Sequence, residues 1–260
     1  MYRQLLPSIV KRRIESPGAL PFEVFAYSGE AALPEQIASI RSFLKHAGRP
    51  QRFTVVSDGT YTARSLQLLR RIDDSVAVAE SSEWVPEGLP PDIYPYLVNH
   101  PTGRQLALIM SLPVDRPVLY VDSDVLFLRG ANELASLVAS HNVAAFYQLD
   151  CRFSGDERLL HAAAEKDQPV NTGVLMLFRK LDWSGSVERF LQLSGEPSFF
   201  TNQTMTHLTM HANGARPFDP AKFVLQLDDQ FVFADRYAGR AAVLRHYVNP
   251  VRHKFWTSVR

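Results

Sequence analysis

The sequence predicts one α/β domain built on a mostly parallel, doubly wound, Rossmann-like sheet. Three observations predict it. Short apolar runs alternate with helix-period segments through the first half of the chain. One of those runs, Val118-Leu119-Tyr120-Val121, has no charged position, as expected of a strand covered on both faces. No linker, low-complexity tract or internal repeat divides the 260 residues.

Taken in order, Phe22 to Tyr27 is a short apolar run closed by Ser28-Gly29 and reads as the first strand. Pro34 suits the first turn of a helix. Ile37, Ile40, Phe43, Leu44 and Ala47 share one face of it, and Gly48 stops it. Phe53 to Val56 is the second strand, closed by Ser57-Asp58-Gly59. Leu66, Leu69 and Ile72 form a second helical stripe, and Val76 to Ala79 is the third strand. Residues 84–103 are rich in proline and glycine and read as a long loop of the functional kind. Thr102 would cap the next helix, which carries Leu106, Ile109 and Met110. The apolar strand 118–121 then leads into Asp122-Ser123-Asp124-Val125-Leu126-Phe127. Beyond it, Ala131 to Ala139 is helical, Val143 to Tyr147 and Gly173 to Phe178 are strands, residues 187–193 and 202–210 are helical, and Ala241 to Leu244 is the last strand. This divides the domain into a nucleotide half (about 20–128), an acceptor half (about 129–245) and a closing tail (246–260).

The composition is that of an ordinary globular protein, 46% hydrophobic and 21% charged. A net charge of +1 gives no electrostatic case for a nucleic-acid partner. Cys151 is the sole cysteine, which excludes an internal disulfide and a cysteine-based zinc site. No apolar run is long enough to span a membrane. The first residues do not have a secretory signal's order of charges and apolar core. Lys11, Arg12 and Arg13 are either a solvated basic segment or a weak contact for an anionic membrane surface.

The sharpest feature is the carboxylate pair. Ligands of open α/β sheets bind beyond the carboxyl ends of the strands. Asp122 and Asp124, at i and i+2 on extended backbone, point to the same side. Like charges in a poorly solvated site repel, and a divalent cation removes the conflict. Hard oxygen ligands suit Mg²⁺ or Mn²⁺, either of which also binds a diphosphate. The alternative is a surface turn with two solvated acids.

Other segments carry weaker signals. Asn171-Thr172-Gly173 precedes an apolar run, and Asn171 offers both donor and acceptor to sugar hydroxyls. It is equally a plain strand entry. Asn202 is either a helix N-cap or a polar group in the site, and the Gln203 amide would stabilise developing charge. His246 is a structural histidine or a third metal ligand, which would tilt preference toward Mn²⁺. Arg252, His253 and Lys254 follow, as a mobile basic tail or as a cation for a departing diphosphate. Arg104 reaches a phosphate or covers its helix with its stem. Gln148 and Asp150 face an acceptor or are ordinary loop polarity.

Together these segments resemble the family 8 glycosyltransferases of the GT-A fold, the group of bacterial lipopolysaccharide galactosyl- and glucosyltransferases and glycogenin. The likeness lies in ordered motifs over residues 22–256. Arg104-x-x-Leu and Val118 to Leu126 resemble the arginine helix and metal strand. Asn171-Thr172-Gly173-Val174-Leu175 resembles the Asn-x-Gly-Val strand, and Asn202-Gln203 stands where the family has Asp-Gln. His246-Tyr247 and Lys254-Phe255-Trp256 resemble the closing segment. The resemblance implies that Asp122, Asp124 and His246 ligate Mn²⁺ (or Mg²⁺). It also implies that Ala26, Tyr27, Ser28 and Ser123 line the nucleotide, Arg104 the phosphates and sugar, Asn171 the sugars and Lys254 the diphosphate. Asn202 and Gln203 would be the catalytic pair. It further implies a UDP-sugar donor, a glycan or other hydroxyl acceptor, and retention of configuration. The lack of a membrane span leads one to expect a bacterial cytoplasmic enzyme, peripheral to the inner membrane if the basic segment at 11–13 touches it. The 84–103 loop and the tail would close over the donor. Ser28 and Asn202 replace acids, and Asn249 and Phe255 stand where Gly and Pro are expected, which marks a divergent member.

Three other readings fit parts of the pattern. A haloacid dehalogenase-type phosphatase also uses an Asp-x-Asp after an apolar strand, with Asp228-Asp229 as its later acids. It would normally carry that first motif near the chain start. A sugar-nucleotide-forming nucleotidyltransferase would need a glycine-rich basic loop, and Ser28-Gly29-Glu30 is too sparse for one. A non-catalytic nucleotide-sugar binder would account for Asn202.

Overall fold

A computed structural model describes residues 2–138 and 142–259 and bears out the alternation of strands and helices. Helix α1 (Tyr2–Ile9) precedes β1 (Glu23–Ser28), α2 (Leu33–His46), β2 (Phe53–Ser57), α3 (Ala63–Arg70) and β3 (Val76–Glu80). Helices α4 (Tyr94–Asn99) and α5 (Pro101–Ser111) lead to β4 (Val118–Val121), β5 (Val125–Phe127), α6 (Leu134–Val138), β6 (Ala145–Leu149) and β7 (Val170–Leu177). Then come α7 (Ser184–Leu191), α8 (Thr201–Ala212), β8 (Arg216–Pro217), β9 (Phe223–Val224), β10 (Leu244–His246) and α9 (Phe255–Ser258).

Seven strands form the main sheet in the order β3-β2-β1-β4-β7-β6-β8. Of these only β7 runs against its neighbours. The chain winds from β1 out to β3 and then places β4 on the other side of β1, so the strand order reverses between β1 and β4. That reversal is where open α/β sheets bind their ligands. Ser28 ends β1 and Asp122 follows β4 at this edge. Because β7 is antiparallel, its first half returns to the same edge. Val121 pairs with Val174, and the Asp122 N–H donates to the Gly173 carbonyl at 2.8 Å. A second sheet, β5-β10-β9, crosses over this edge, and it delivers His246 opposite Val125.

Alternation along β1 divides the core. Val24 and Ala26 point into one apolar layer with Ile37, Ile40 and Phe43 of α2, while Phe25 points into the other with Leu106 and Ile109 of α5. Phe43 makes edge-to-face contacts with Phe22, Phe53 and Phe127. Each such ring, fully buried, contributes roughly 1.5–3 kcal/mol of transfer free energy. Gly48 has φ +139° and ends the α2 segment, as its position suggested.

Five sequence expectations need correction. Residues 84–103 are not one loop, because α4 and the start of α5 lie within them. Pro91, Pro95 and Pro101 each sit in the first turn of a helical segment, where a missing N–H costs nothing. Thr102 is inside α5 and not its cap. Its hydroxyl hydrogen-bonds the Tyr96 hydroxyl and His100 Nδ1 instead. Asp122-Ser123-Asp124 is a turn between β4 and β5 and not continuous extended chain. The last strand lies later than Ala241–Leu244, because Arg245 and His246, polar by type, are both buried in β10. The helix expected over 131–139 is a 3₁₀ segment followed by α6, and Ala139 lies outside the described residues.

Candidate functional site

The turn after β4 still brings the two acids together, by folding back and not by alternation. Asp124 has a carboxylate oxygen 3.0 Å from His246 Nε2, and Asp122 has one 3.9 Å from the same nitrogen. One ligand atom from each of the three residues fits within 4.8 Å. The cluster joins a strand end, a turn and a strand more than a hundred residues later. Gly173 makes room for it: a Cβ there would lie 2.2 Å from His246 Cε1 and 2.8 Å from Asp122 Oδ2. The cradle therefore depends on a missing side chain, as sites of close approach on a strand do.

Two of the three groups are held from behind. His246 Nδ1 lies 2.9 Å from Gln148 Oε1, which fixes the ring and turns Nε2 toward the acids. Asp122 Oδ1 accepts from the Tyr120 hydroxyl and from Gln105 Nε2, both at 2.9 Å, leaving Oδ2 toward His246. Such outer partners orient ligands and set their basicity. Burial raises the Asp122 carboxyl above its usual range, with His246 opposing and the Asp124 charge adding to it. Asp124 is also pushed up by burial, but the His246 charge and hydrogen bond outweigh that and leave it below its usual range. Burial alone would lower His246, and Asp124 reverses the direction. Two acids face one imidazole, and Asp122 keeps 26% of its side chain exposed. The donor set of two carboxylates and one imidazole fits a hard divalent cation.

The nucleotide-side residues meet at the end of β1. Ala26 is fully buried. The Ser28 hydroxyl donates to Gln36 Oε1 at 2.8 Å and lies 2.6 Å from the Tyr61 hydroxyl. The Tyr27 hydroxyl is buried without a hydrogen-bond partner among the described residues, and burial pushes its pKa up to about 12. Arg104 Nη1 donates to the Asp58 carbonyl at 2.9 Å, bridging α5 to the end of β2. Ser123 is buried within the turn between the two acids.

On the acceptor side, Asn171 donates from Nδ2 to Asp150 Oδ2 at 3.1 Å and accepts from the Gly173 N–H at 2.9 Å. Gln203 Nε2 donates to the Ser154 carbonyl at 2.6 Å and lies 3.4 Å from Asp150 Oδ2. Asn202 is not the N-cap of α8. It is inside the helix, 5% exposed, with Nδ2 donating to Gln105 Oε1 at 2.8 Å. Lys254 stands apart from the cluster. Its ammonium is buried, bonded to the Val232 carbonyl and, at 3.0 Å, to the Ala234 carbonyl, and 3.5 Å from Asp229. Arg252 is the basic residue that reaches the cluster, 3.8 Å from Asp124 Oδ2 with 46% of its side chain exposed.

Sequence reasoning missed Gln105 and Tyr120, and left Gln148 and Asp150 open between acceptor contact and ordinary loop polarity. Tyr120 was legible as the residue two before Asp122 on the same strand face. Gln148 and Asp150 are 0% and 8% exposed, and a glutamine closing an apolar strand was a signal in itself. Gln105 follows Arg104 on a helix whose start was misplaced. Clefts of about 400 and 430 Å³ lie elsewhere, lined by none of the cluster residues. Asp228 and Asp229, the later acids of a phosphatase reading, are engaged by Tyr237 and by Arg245.

The strand order, the reversal at β1 and β4 and the acid turn define the class: the chain has the GT-A fold of glycosyltransferases. Among solved structures it is similar to the galactosyltransferase LgtC in complex with donor and acceptor sugar analogues (14% identity, 91% of this chain and 95% of that one, TM-score 0.59). It is also similar to the bifunctional glycosyltransferase WbbM (12%, 95% of this chain and 50% of that one, 0.59) and to mouse xyloside xylosyltransferase 1 (12%, 89% and 99%, 0.57). No protein-family model and no curated protein matches the sequence.

Proposed function

We propose that the protein is a metal-dependent, retaining glycosyltransferase of the family 8 type that moves a hexose from a UDP-sugar to a glycan or other hydroxyl acceptor. One observation carries the reading: Asp122, Asp124 and His246 converge at the reversal point of a GT-A sheet, two acids against one imidazole in a space opened by Gly173. In this reading those three residues hold Mn²⁺, or Mg²⁺. When bound, the ion supplies a Lewis acid for the charge that develops on the departing diphosphate.

The chain's own groups do the rest. Ala26, Tyr27, Ser28 and Ser123 line the nucleoside and phosphates, and Arg104 is within reach of the same edge. Arg252, partly exposed beside Asp124, is the cation for the diphosphate, and Lys254 holds the loop behind it. Asn171 and Gln203 present amides toward the sugars, with Asp150 ordering both. Amide dipoles set in advance stabilise an oxocarbenium-like state without reorganising. Residues 20–128 then form the nucleotide-sugar half, 129–245 the acceptor half, and 246–260 closes the site. Among the described residues no helix is long and apolar enough to cross a membrane. Lys11, Arg12 and Arg13 are exposed and supply the membrane-surface contact of a cytoplasmic, peripheral enzyme in the same reading.

The test is calorimetry of UDP with and without Mn²⁺, followed by turnover with several UDP-sugars. Wild type should bind UDP only with the metal, and Asp124→Ala should lose that binding while staying folded. Binding that ignores Mn²⁺, or survives in Asp124→Ala, overturns the reading. Sugar-nucleotide binding without turnover favours a non-catalytic binder.

A further inference from the structure

Asn202 stands where the resemblance leads one to expect an acid, and it lies at the end of a chain of hydrogen bonds that finishes on a cluster carboxylate. Asn202 Nδ2 donates to Gln105 Oε1 at 2.8 Å. Gln105 Nε2 donates to the Tyr120 hydroxyl at 2.8 Å and to Asp122 Oδ1 at 2.9 Å. The Tyr120 hydroxyl gives its own proton to Asp122 Oδ1 at 2.9 Å. Every donor has an acceptor, and the order of donation runs one way, from Asn202 to Asp122.

We infer that Asn202 is a positioning residue for Asp122, acting through the side-chain amide of Gln105, and that this is why the position carries an amide and not a carboxylate. The inference rests on the metal reading above.

The chemistry is that of amide orientation. Gln105 has one donor end and one acceptor end. With Asn202 donating to its oxygen, its NH₂ group faces Tyr120 and Asp122, and Asp122 Oδ1 accepts two hydrogen bonds. A carboxylate at 202 offers acceptors only. It would face the Gln105 oxygen, so the amide would turn over and give its NH₂ group to residue 202. The Gln105 oxygen would then meet Asp122 Oδ1, acceptor against acceptor. Asp122 would keep the Tyr120 proton but lose the fixed rotamer that aims Oδ2 at His246. An extra negative charge near a cation site should by itself tighten the cation. The relay predicts the opposite sign, so the two effects are separable.

The experiment is a double-mutant cycle on Mn²⁺ alone, followed by the electron paramagnetic resonance of free Mn²⁺, with melting temperatures taken in parallel. The four proteins are wild type, Asn202→Asp, Gln105→Met and the double variant. Asn202→Asp should stay folded and weaken Mn²⁺ by about tenfold or more, the range for loss of an outer partner of a metal ligand. In the Gln105→Met background the same change should cause no further loss, because the relay is already absent. Asn202→Leu removes the donor without adding charge. It should show a smaller loss with the same dependence on Gln105, which keeps the test available if the aspartate folds poorly. Tighter or unchanged Mn²⁺ binding in Asn202→Asp, or an equal loss in both backgrounds, overturns the inference. Wild type that takes up no Mn²⁺ overturns the metal reading and this inference with it, whereas wild type that binds beside an unaffected Asn202→Asp overturns the inference alone.

Discussion

Two clusters of charge sit back to back on β10, and they are built on opposite principles. His246 faces Asp122 and Asp124, while its neighbour Arg245 faces Asp229 and Asp235, as adjacent residues of a strand must. The second cluster is balanced. Arg245 and Lys254 oppose the two acids, and the four side chains are 0%, 1%, 0% and 7% exposed. Arg245 also lies 5.2 and 5.1 Å from the Tyr237 and Tyr247 ring centres, and the Tyr247 hydroxyl and Ser258 Oγ bond Asp235. The first cluster has two acids against one buried imidazole, a half-exposed Arg252 3.8 Å from Asp124 at its mouth, and an opening at Asp122. A buried charge set that closes on itself fixes the segments that supply it. One whose second cation is a half-exposed arginine at a solvent-open mouth has room to admit a metal ion. The balanced cluster fastens the loop at 228–238 and the tail at 254–258 to β10, and so holds His246 for the unbalanced one.

The largest effect should come from breaking the balanced cluster. Arg245→Met leaves two buried carboxylates with Lys254 alone, and removing one partner of a buried pair costs about 3–5 kcal/mol. Urea denaturation should show that loss, while Asp122→Asn, at a carboxyl that burial and the Asp124 charge hold above its usual range, should leave the midpoint near wild type or raise it. Equal midpoints for the two variants would erase the distinction between the clusters.

A second pair of variants tests which basic residue serves which cluster. Lys254→Met removes hydrogen bonds from a buried cation to the Val232 and Ala234 carbonyls, and should cost roughly 1.5–3 kcal/mol of stability. The folded fraction should keep its affinity for Mn²⁺-UDP. Arg252→Met should leave the melting temperature within a degree or two and weaken Mn²⁺-UDP about tenfold, the scale of one charge-assisted hydrogen bond. The reverse pattern would return the diphosphate to Lys254.

The same contrast explains what the sequence made legible. The parallel half was readable because its strands and helices show unbroken apolar periods, so Phe43, Val55 and Leu119 appear as core by spacing alone. Asp122 and Asp124 were readable because they end such a strand. The balanced cluster was not. Arg245, Asp229 and Lys254 are buried through partners distant in sequence, and a buried ion pair leaves no period for a linear reading to find. Lys254 therefore looked like a phosphate ligand, whereas it is 1% exposed and bonded to the carbonyls of the loop that the cluster fastens. Asn202 was left open between a cap and a site residue for a related reason. Its partner Gln105 is ninety-seven positions away, and only the fold brings the two amides together.

A third acid falls between the two cases and gives the smallest effect. Asp156 is 3% exposed, but its partner Arg158 is 42% exposed, so this pair is half sealed. Its oxygens accept from Arg158 Nε at 2.7 Å and Nη2 at 2.6 Å, and from Thr201 Oγ1 at 2.7 Å, which ties it to the first residue of α8. The Arg158 hydrogen bonds are the main reason its carboxyl is held down from 3.8 to about 2. A carboxyl with a depressed folded pKa stabilises the fold above its unfolded value and ceases to do so as pH falls through the folded one. The contribution should be complete above about pH 4 and mostly gone near pH 2. With Arg158 open to solvent, screening reduces it to about 1–2 kcal/mol. Urea midpoints of wild type and Asp156→Asn should therefore differ at pH 7 and draw together toward pH 3. A gap that stays constant over that range would assign the effect to packing at the start of α8, and would place Asp156 with the neutral contacts of the core and with neither charge cluster.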